Sequence, residues 1–349
     1  MSRTVNTVAR ETLKSRATAV TVSPLTSLAA DGTGSNDLYT SQLQRFIDAP
    51  DLLVETMLFC ACFWMQALHV KIAGLYTLEG DMNASDPFAE LKERQRVMWA
   101  SFSPTAMFTT PVAGQLVKFA GIRSGERVLD IGTGTGVVAI TAARAGAQVT
   151  GLDLTPELLA QAKDNARIAD LEHIVWTEGD AEQLPYPDAS FDVVVSQFGH
   201  MFAPRPDIAV EQMRRVLKPG GRVAFATWPP EHFVGRMFAF VGRNSPPPPP
   251  GAYPPPQWGN PHLIAERLGD LFETPFFARG TMSFPALSLA HYRLFMERSV
   301  GPMQKLVESL ASNPEKLAAV RAEFEAMAEP YYADNVVHQD YVLTRANIR

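Results

Sequence analysis

The hydrophobic pattern is most regular between residues 126 and 228, where short β-branched or aliphatic runs alternate with longer stretches of helical period. "ERVLDI" (126–131), "AQVTGLD" (147–153), "HIVWTEGD" (173–180), "FDVVVSQ" (191–197) and "GRVAFATW" (221–228) read as strands. Between them, Val137 to Ala145 reads as a helix closed by Gly146. Thr155, Pro156 and Glu157 supply an N-cap, a proline at the first helical position and an acid in the first turn of a helix through Ile168. Ile208 to Leu217 reads as another. Strands separated by helices of this length require right-handed crossovers, hence an α/β fold with a parallel sheet covered on both faces.

Outside this core the pattern changes character. Residues 52–76, "LLVETMLFCACFWMQALHVKIAGLY", are the most apolar stretch, but Glu55, Gln66, His69 and Lys71 interrupt them. A buried or partner-facing helix is expected there rather than a membrane span, with a homodimer or membrane-surface contact as its use. The first thirty residues carry Arg3, Arg10, Lys14 and Arg16 against a single acid, Glu11, and are rich in Ser and Thr. They read as a disordered extension, with an organelle transit peptide as the alternative. Residues 1–81 are therefore expected to be an N-terminal extension, and 82–349 a complete domain. After the core, "SPPPPPGAYPPPQWGNP" (245–261) lacks too many amide donors for helix or central strand and is expected to form a semi-rigid wall at the ligand end of the sheet. "HLIAERLGDLF" follows as a helix and "FETPFFARGTMSFP" as a strand; residues 288–330 are largely helical, and "VVHQDYVLTRA" (336–346) alternates like a strand.

Composition adds mainly exclusions. With 349 residues and 46% hydrophobic content the chain buries a full core without covalent staples. A net charge of −6 gives the whole protein no electrostatic reason to seek nucleic acid. The two cysteines, Cys60 and Cys62, stand too close for a disulfide framework and lack partners for a zinc site, so no metal is expected and a cytoplasmic setting is the default.

The candidate chemistry begins at "VLDIGTGTG" (128–136), where glycines between a strand and a helix bring the backbone close to a ligand beneath free amide donors. As a dinucleotide fingerprint the loop is ambiguous. Gly134, Gly136 and Ala139 fit G-x-G-x-x-A, whereas the pattern begun at Gly132 meets Val137. Asp130 separates the readings, because a carboxylate just before the glycines repels a pyrophosphate and favours a cationic amine. A ligand with adenosine at one end and an ammonium at the other, such as S-adenosylmethionine, satisfies it. Asp153 ends the second strand, placed for both ribose hydroxyls of either ligand. Asp180, after the third strand, is placed for the adenine amino group of the former.

"VLDIGTGTG", "GLDLTPELLAQAKDNA", "EGDAEQLPYPDASFDVVVSQFG" and "RRVLKPGGRVAFATW", in this order, resemble successive motifs of class I S-adenosylmethionine-dependent methyltransferases of the ubiquinone/menaquinone-biosynthesis-like type. The resemblance implies a Rossmann-like, seven-stranded, mostly parallel sheet whose last strand, "VVHQDYVLTRA", is antiparallel. It implies Asp130, Gly132, Gly134 and Gly136 around the methionine moiety of S-adenosyl-L-methionine. Asp153 and Leu154 would meet the ribose, Asp180 and Ala181 the adenine, and Gln197 would face cofactor or acceptor.

His200, in the loop after the fourth strand, is the candidate general base, with a packing role as its alternative. Ser196, Gln197, Phe198 and Gly199 stand where amino-methylating enzymes carry Asn/Asp-Pro-Pro-Tyr/Phe. The domain also has no cysteine for cytosine C5 chemistry. An acceptor cap is expected from 86–115, 229–262 and 285–333, with Trp99, Phe102, Met107, Phe108, Phe233, Met237, Phe238 and "HYRLFM" lining an apolar site or serving as core. The expected activity is methyl transfer to a carbon, oxygen or nitrogen of a small, largely apolar molecule. A NAD-dependent oxidoreductase and a non-catalytic adenosylmethionine-binding module are the alternatives.

Overall fold

A computed structural model describes residues 86–349. The expectations for 1–81, including the helix at 52–76, the two cysteines and any contact made through them, lie outside the described residues. Two helices, α1 (Ala89–Trp99) and α2 (Ser103–Ala120), precede β1 (Arg127–Ile131). The chain continues through α3 (Val137–Arg144), β2 (Gln148–Asp153), α4 (Pro156–Ile168), β3 (Val175–Glu178), β4 (Phe191–Gln197), α5 (Pro206–Val216) and β5 (Leu217–Thr227). Then follow α6 (Phe233–Arg243), α7 (Pro261–Leu268), β6 (Phe276–Pro285), α8 (Leu289–Ser299), α9 (Gly301–Ser309) and α10 (Pro314–Ala328). The short β7 (Tyr332–Ala333) and the long β8 (Val336–Asn347) close the described chain.

The strands lie in the order β3-β2-β1-β4-β5-β8-β6, with β7 paired to β8. β1 to β5 are mutually parallel; β8 runs antiparallel to both β5 and β6. The Rossmann-like sheet with an antiparallel last strand is therefore present, with the two-residue β7 as an eighth strand. Its central strand β4 is buried at every position but Asp192, near its start, as a parallel strand covered on both faces must be. α2 turns Val112, Ala113, Leu116, Val117 and Ala120 inward at helical spacing onto this core.

Two details position the site. β5 pairs with β8 only over Val342–Asn347, whereas β6 pairs with β8 as far as Val336. The β6–β8 ribbon thus extends past the end of β5 at Thr227, beyond the carboxyl edge of the parallel sheet, where ligands of open α/β sheets bind. Second, the proline-rich segment is irregular except for a 3-10 turn at Pro255–Gly259 and is pinned by Trp258, 1% exposed. Contrary to expectation, no residue of 245–261 lines the cleft. Trp258 packs behind it, edge-on to His200 at 4.6 Å between ring centroids. Among the described residues no helix is long and apolar enough to cross a membrane.

Candidate active site

A cleft runs over the carboxyl ends of β1, β2 and β4, bounded by α1, α2 and α6. Its polar end is built by the glycine loop and the acids that end successive strands. Asp130 is fully buried, and its Oδ2 accepts from the Thr133 hydroxyl at 2.6 Å and the Ala139 amide at 3.1 Å. One carboxylate thereby staples the loop to the first turn of α3. Burial, reinforced by the nearby Asp153 charge, pushes the Asp130 carboxyl up to about 7. It stands behind the loop, outside the cleft wall, and its Oδ1 has no partner among the described residues.

The three glycines serve three purposes. Gly132 is left-handed (φ +64°) and its backbone presses against Gly199; a Cβ there would lie 2.7 Å from the Gly199 Cα. Gly134, at φ +55°, has open space where a Cβ would stand, and it lines the cleft. Gly136 caps α3, and a Cβ on it would meet Trp176 at 2.8 Å and Ala162 at 3.2 Å. Helix packing accounts for Gly136, which does not line the cleft.

Asp153 ends β2 with its carboxylate bridging two loops: Oδ2 accepts from the Gly134 amide at 2.7 Å and Oδ1 from the Thr155 amide at 2.9 Å. Burial raises its proton affinity, against the opposing pull of those amides. Leu154 and Thr155 continue the cleft wall beside it. Beyond β3, Asp180 and Ala181 also line the cleft. Asp180 Oδ1 accepts from the Glu182 amide at 2.8 Å, and its Oδ2 takes the Lys92 ammonium of α1 at 2.6 Å. Lys92 is shared with Asp86 and Glu182, each at 2.6 Å, and Arg205 adds a second cation against Glu182 and Asp86. Burial works against the Lys92 charge, but its hydrogen bonds to Asp180, Asp86 and Glu182 outweigh it and hold the ammonium above the ordinary lysine range. These three carboxylates, spaced closely enough to suit a metal ion, gather around an amine.

The other end of the cleft is apolar. Trp99 and Phe102 reach in from α1 and the turn after it, Met237 and Phe238 from α6, and Met296 from α8. Met107 instead points to solvent, 69% exposed. Phe108 packs on Phe284 and Phe295, and Phe233 is buried among Tyr292, Phe324 and Tyr331. Phe108 and Phe233 thus pack with the core. Gln197 ends β4 inside this half, donating from Nε2 to the Thr109 carbonyl at 3.0 Å, with Oε1 buried and unpartnered.

His200 sits where the chain must turn beneath the loop. Its amide donates to the Ser196 hydroxyl at 3.0 Å, while its ring lies against Phe225 and Trp258, both nitrogens without partners. Burial, with the Arg267 charge nearby, lowers its proton affinity to about 3. His200 lines the cleft, but a neutral imidazole so enclosed is a poor proton acceptor near neutral pH, which favours the packing alternative over a general base.

Sequence reasoning passed over Phe198, Gly199, Trp228, Met282 and Gln339, all of which line the cleft. Phe198 adopts φ +59°, unusual for a bulky residue, and stacks on Trp228 at 3.8 Å between centroids. Gly199 was legible as a glycine directly after a strand. The others carried no local signal, since alternation alone does not tell which face of β8 looks into a cavity.

The chain matches the family model described as "Methyltransferase domain" over residues 129–225. An uncharacterized protein of Mycobacterium bovis is 34% identical over 255 residues, 72% of this chain and 93% of its own length. A ubiquinone/menaquinone biosynthesis C-methyltransferase of Rubrivivax gelatinosus is 41% identical over 110 residues, 31% of this chain and 41% of that protein. A 27-O-demethylrifamycin SV methyltransferase of Amycolatopsis mediterranei is 42% identical over 122 residues, 33% of this chain and 43% of that one. The chain belongs to the methyltransferase-domain family, among the class I S-adenosylmethionine-dependent methyltransferases. A NAD-dependent oxidoreductase is thereby set aside.

Proposed function

We propose that residues 82–349 form a catalytic domain that binds S-adenosyl-L-methionine at the polar end of the cleft and methylates a small, largely apolar molecule held at the other. The observation that carries this reading is the convergence of Gly134, Asp153 and Asp180 on one cleft, with Asp130 directly behind its loop. These residues suit such a cofactor. Gly134 leaves open space in the wall, Asp153 and Asp180 offer carboxylate oxygens for ribose and adenine donors, and the orphan Oδ1 of Asp130 favours an ammonium nearby. Gly132, Leu154 and Ala181 would shape the same pocket, and Gly136 would act by fixing the helix that begins there.

When bound, the cofactor supplies a methyl group already activated by its sulfonium. The work left to this chain is to align the acceptor and exclude water. Trp99, Phe102, Met237 and Phe238 bury the acceptor, and Gln197 fixes a polar group of it with an amide oxygen that cannot itself take a proton. Two relatives support a small-molecule acceptor: one is a C-methyltransferase of quinone biosynthesis, and the other acts on 27-O-demethylrifamycin SV.

Calorimetric titration of the full chain with S-adenosylhomocysteine, followed by transfer of a labelled methyl group to extracted metabolites, tests the reading. Binding and transfer are expected. Failure to bind S-adenosylhomocysteine overturns the cofactor assignment, and binding without transfer to any extract favours a non-catalytic module.

A further inference from the structure

The extended β6–β8 ribbon gives the apolar end of the cleft a wall that none of the sequence motifs describes. Met282 of β6 and Gln339 of β8 are directly paired across it, so their side chains share a face, and both line the cleft. Gln339 is 4% exposed, a polar residue among methionines and aromatic rings. Its Nε2 donates to the Tyr292 hydroxyl at 2.8 Å, which fixes the amide, and its Oε1 takes no hydrogen bond from any described residue. Tyr292 is itself clamped between Phe233, Phe284 and Phe324. A buried amide held rigidly by one atom, with the other free at a cavity wall, presents a fixed acceptor to a ligand group. Gln197 repeats the arrangement at the end of β4, with its nitrogen committed to the Thr109 carbonyl and its oxygen unpartnered.

Charge narrows the ligand further. The charged residues of the cleft wall, Lys92, Arg96, Asp153 and Asp180, belong to α1 and the ends of β2 and β3, at the polar end. Among the described residues the rest of the cleft wall carries no Lys, Arg, Asp or Glu, and Met282 stands directly beside Gln339. An ionised acceptor would be desolvated there without a partner.

Resting on the methyltransferase reading, we propose that Gln339 is a specificity-determining residue that selects an uncharged, ring-bearing acceptor carrying a hydroxyl or N–H group, which donates to its Oε1. The group read by Gln339 is separate from the atom that is methylated. The latter lies toward Gln197 and the glycine loop, whereas Gln339 stands on the ribbon beyond the sheet edge.

The test uses the full chain saturated with S-adenosylhomocysteine, whose binding is measured first, so that failure of the cofactor reading is seen separately. Three probes are then titrated: 2-naphthol, 2-methoxynaphthalene, which lacks the donor, and 2-naphthoate, which is anionic. 2-Naphthol is expected to bind at least about tenfold more tightly than either of the others, the scale of one buried hydrogen bond. Gln339→Leu is expected to erase the preference for 2-naphthol over 2-methoxynaphthalene while leaving the latter's affinity within about twofold, and Tyr292→Phe, which loosens the amide, to reduce the preference without abolishing it. The proposal is overturned if the preference survives in Gln339→Leu, if 2-naphthoate binds as well as 2-naphthol, if neither neutral probe binds, or if Gln339→Leu weakens both neutral probes equally.

Discussion

The two ends of the cleft are made in opposite ways. At the polar end nearly every group is engaged: Asp153 holds two amides, Asp180 an amide and an ammonium, and Lys92 three carboxylates. Most of it comes from one run of chain, 130–182, whose strands and loops are neighbours in sequence. At the apolar end, side chains from Gln95 to Gln339 meet only because the sheet brings the last strands beside β5, and Gln197 and Gln339 spend their amide nitrogens on the protein while their oxygens take no hydrogen bond from a described residue. A site for a fixed ligand can be local and fully hydrogen-bonded, whereas a site for a variable ligand is assembled from peripheral elements whose exchange leaves the first intact.

The severest way to break that division is at the one place where the two loops touch. Gly132→Ala or Gly199→Ala introduces a Cβ 2.7 Å from opposing backbone, so both loops must part. Overpacking, with strain at positive φ in Gly132, is expected to cost about 2–4 kcal/mol of stability, read by thermal melting, and to abolish measurable S-adenosylhomocysteine binding. A variant that melts and binds as the parent does would show the loops to be independent.

Asp153→Ala is expected to act on one end alone. Calorimetry should show S-adenosylhomocysteine affinity reduced by about 1–3 kcal/mol, the scale of polar groups left unpaired, with naphthol binding unchanged in the presence of saturating S-adenosylhomocysteine. Equal losses for both ligands would mean the ends are not separable.

Asp130 and His200 sharpen the comparison through pH. Asp130 in the folded chain titrates at about 7, above the roughly 3.9 of an unfolded aspartate, so the folded state binds the extra proton. Its contribution to stability is complete below about pH 4 and is lost as pH rises through 7. Ligand ammonium favours the ionised form, so S-adenosylhomocysteine affinity should climb by several-fold between pH 6 and 8 in the parent and stay flat in Asp130→Asn. His200 has the opposite sign. Its folded value of about 3 lies below the roughly 6.5 of an unfolded histidine, so its contribution is present above about pH 6.5 and is lost as pH falls toward 3. His200→Phe should remove that acid sensitivity in melting experiments while transfer to an identified acceptor falls by less than about threefold, against the roughly hundredfold or greater loss expected of a general base. A collapse of transfer with cofactor affinity preserved would restore His200 as a base.

The succession of strands and helices and the acids at the ends of β1, β2 and β3 were legible because strand, turn and helix signals are local, and their spacing is set by crossover geometry, whereas the antiparallel final strand followed from the family resemblance. What stayed illegible depended on distant partners. Lys92 stands in a run of Glu, Lys and Arg with no local sign that three acids bury it. His200 reads as a loop histidine free to titrate and is enclosed by a tryptophan from the proline-rich segment. Phe108 and Phe233 cannot be told from pocket residues by composition, because core and cavity wall use the same side chains.

The bare contact between Gly132 and Gly199 also bears on how such sequences can drift. Neither position can acquire a side chain while the other's backbone stays where it is, so a substitution at one is tolerated only with a compensating retreat of the other loop. Two positions far apart in the chain thus vary, if at all, as a single character. A chain that lost either glycine would have to carry the other loop in a different place.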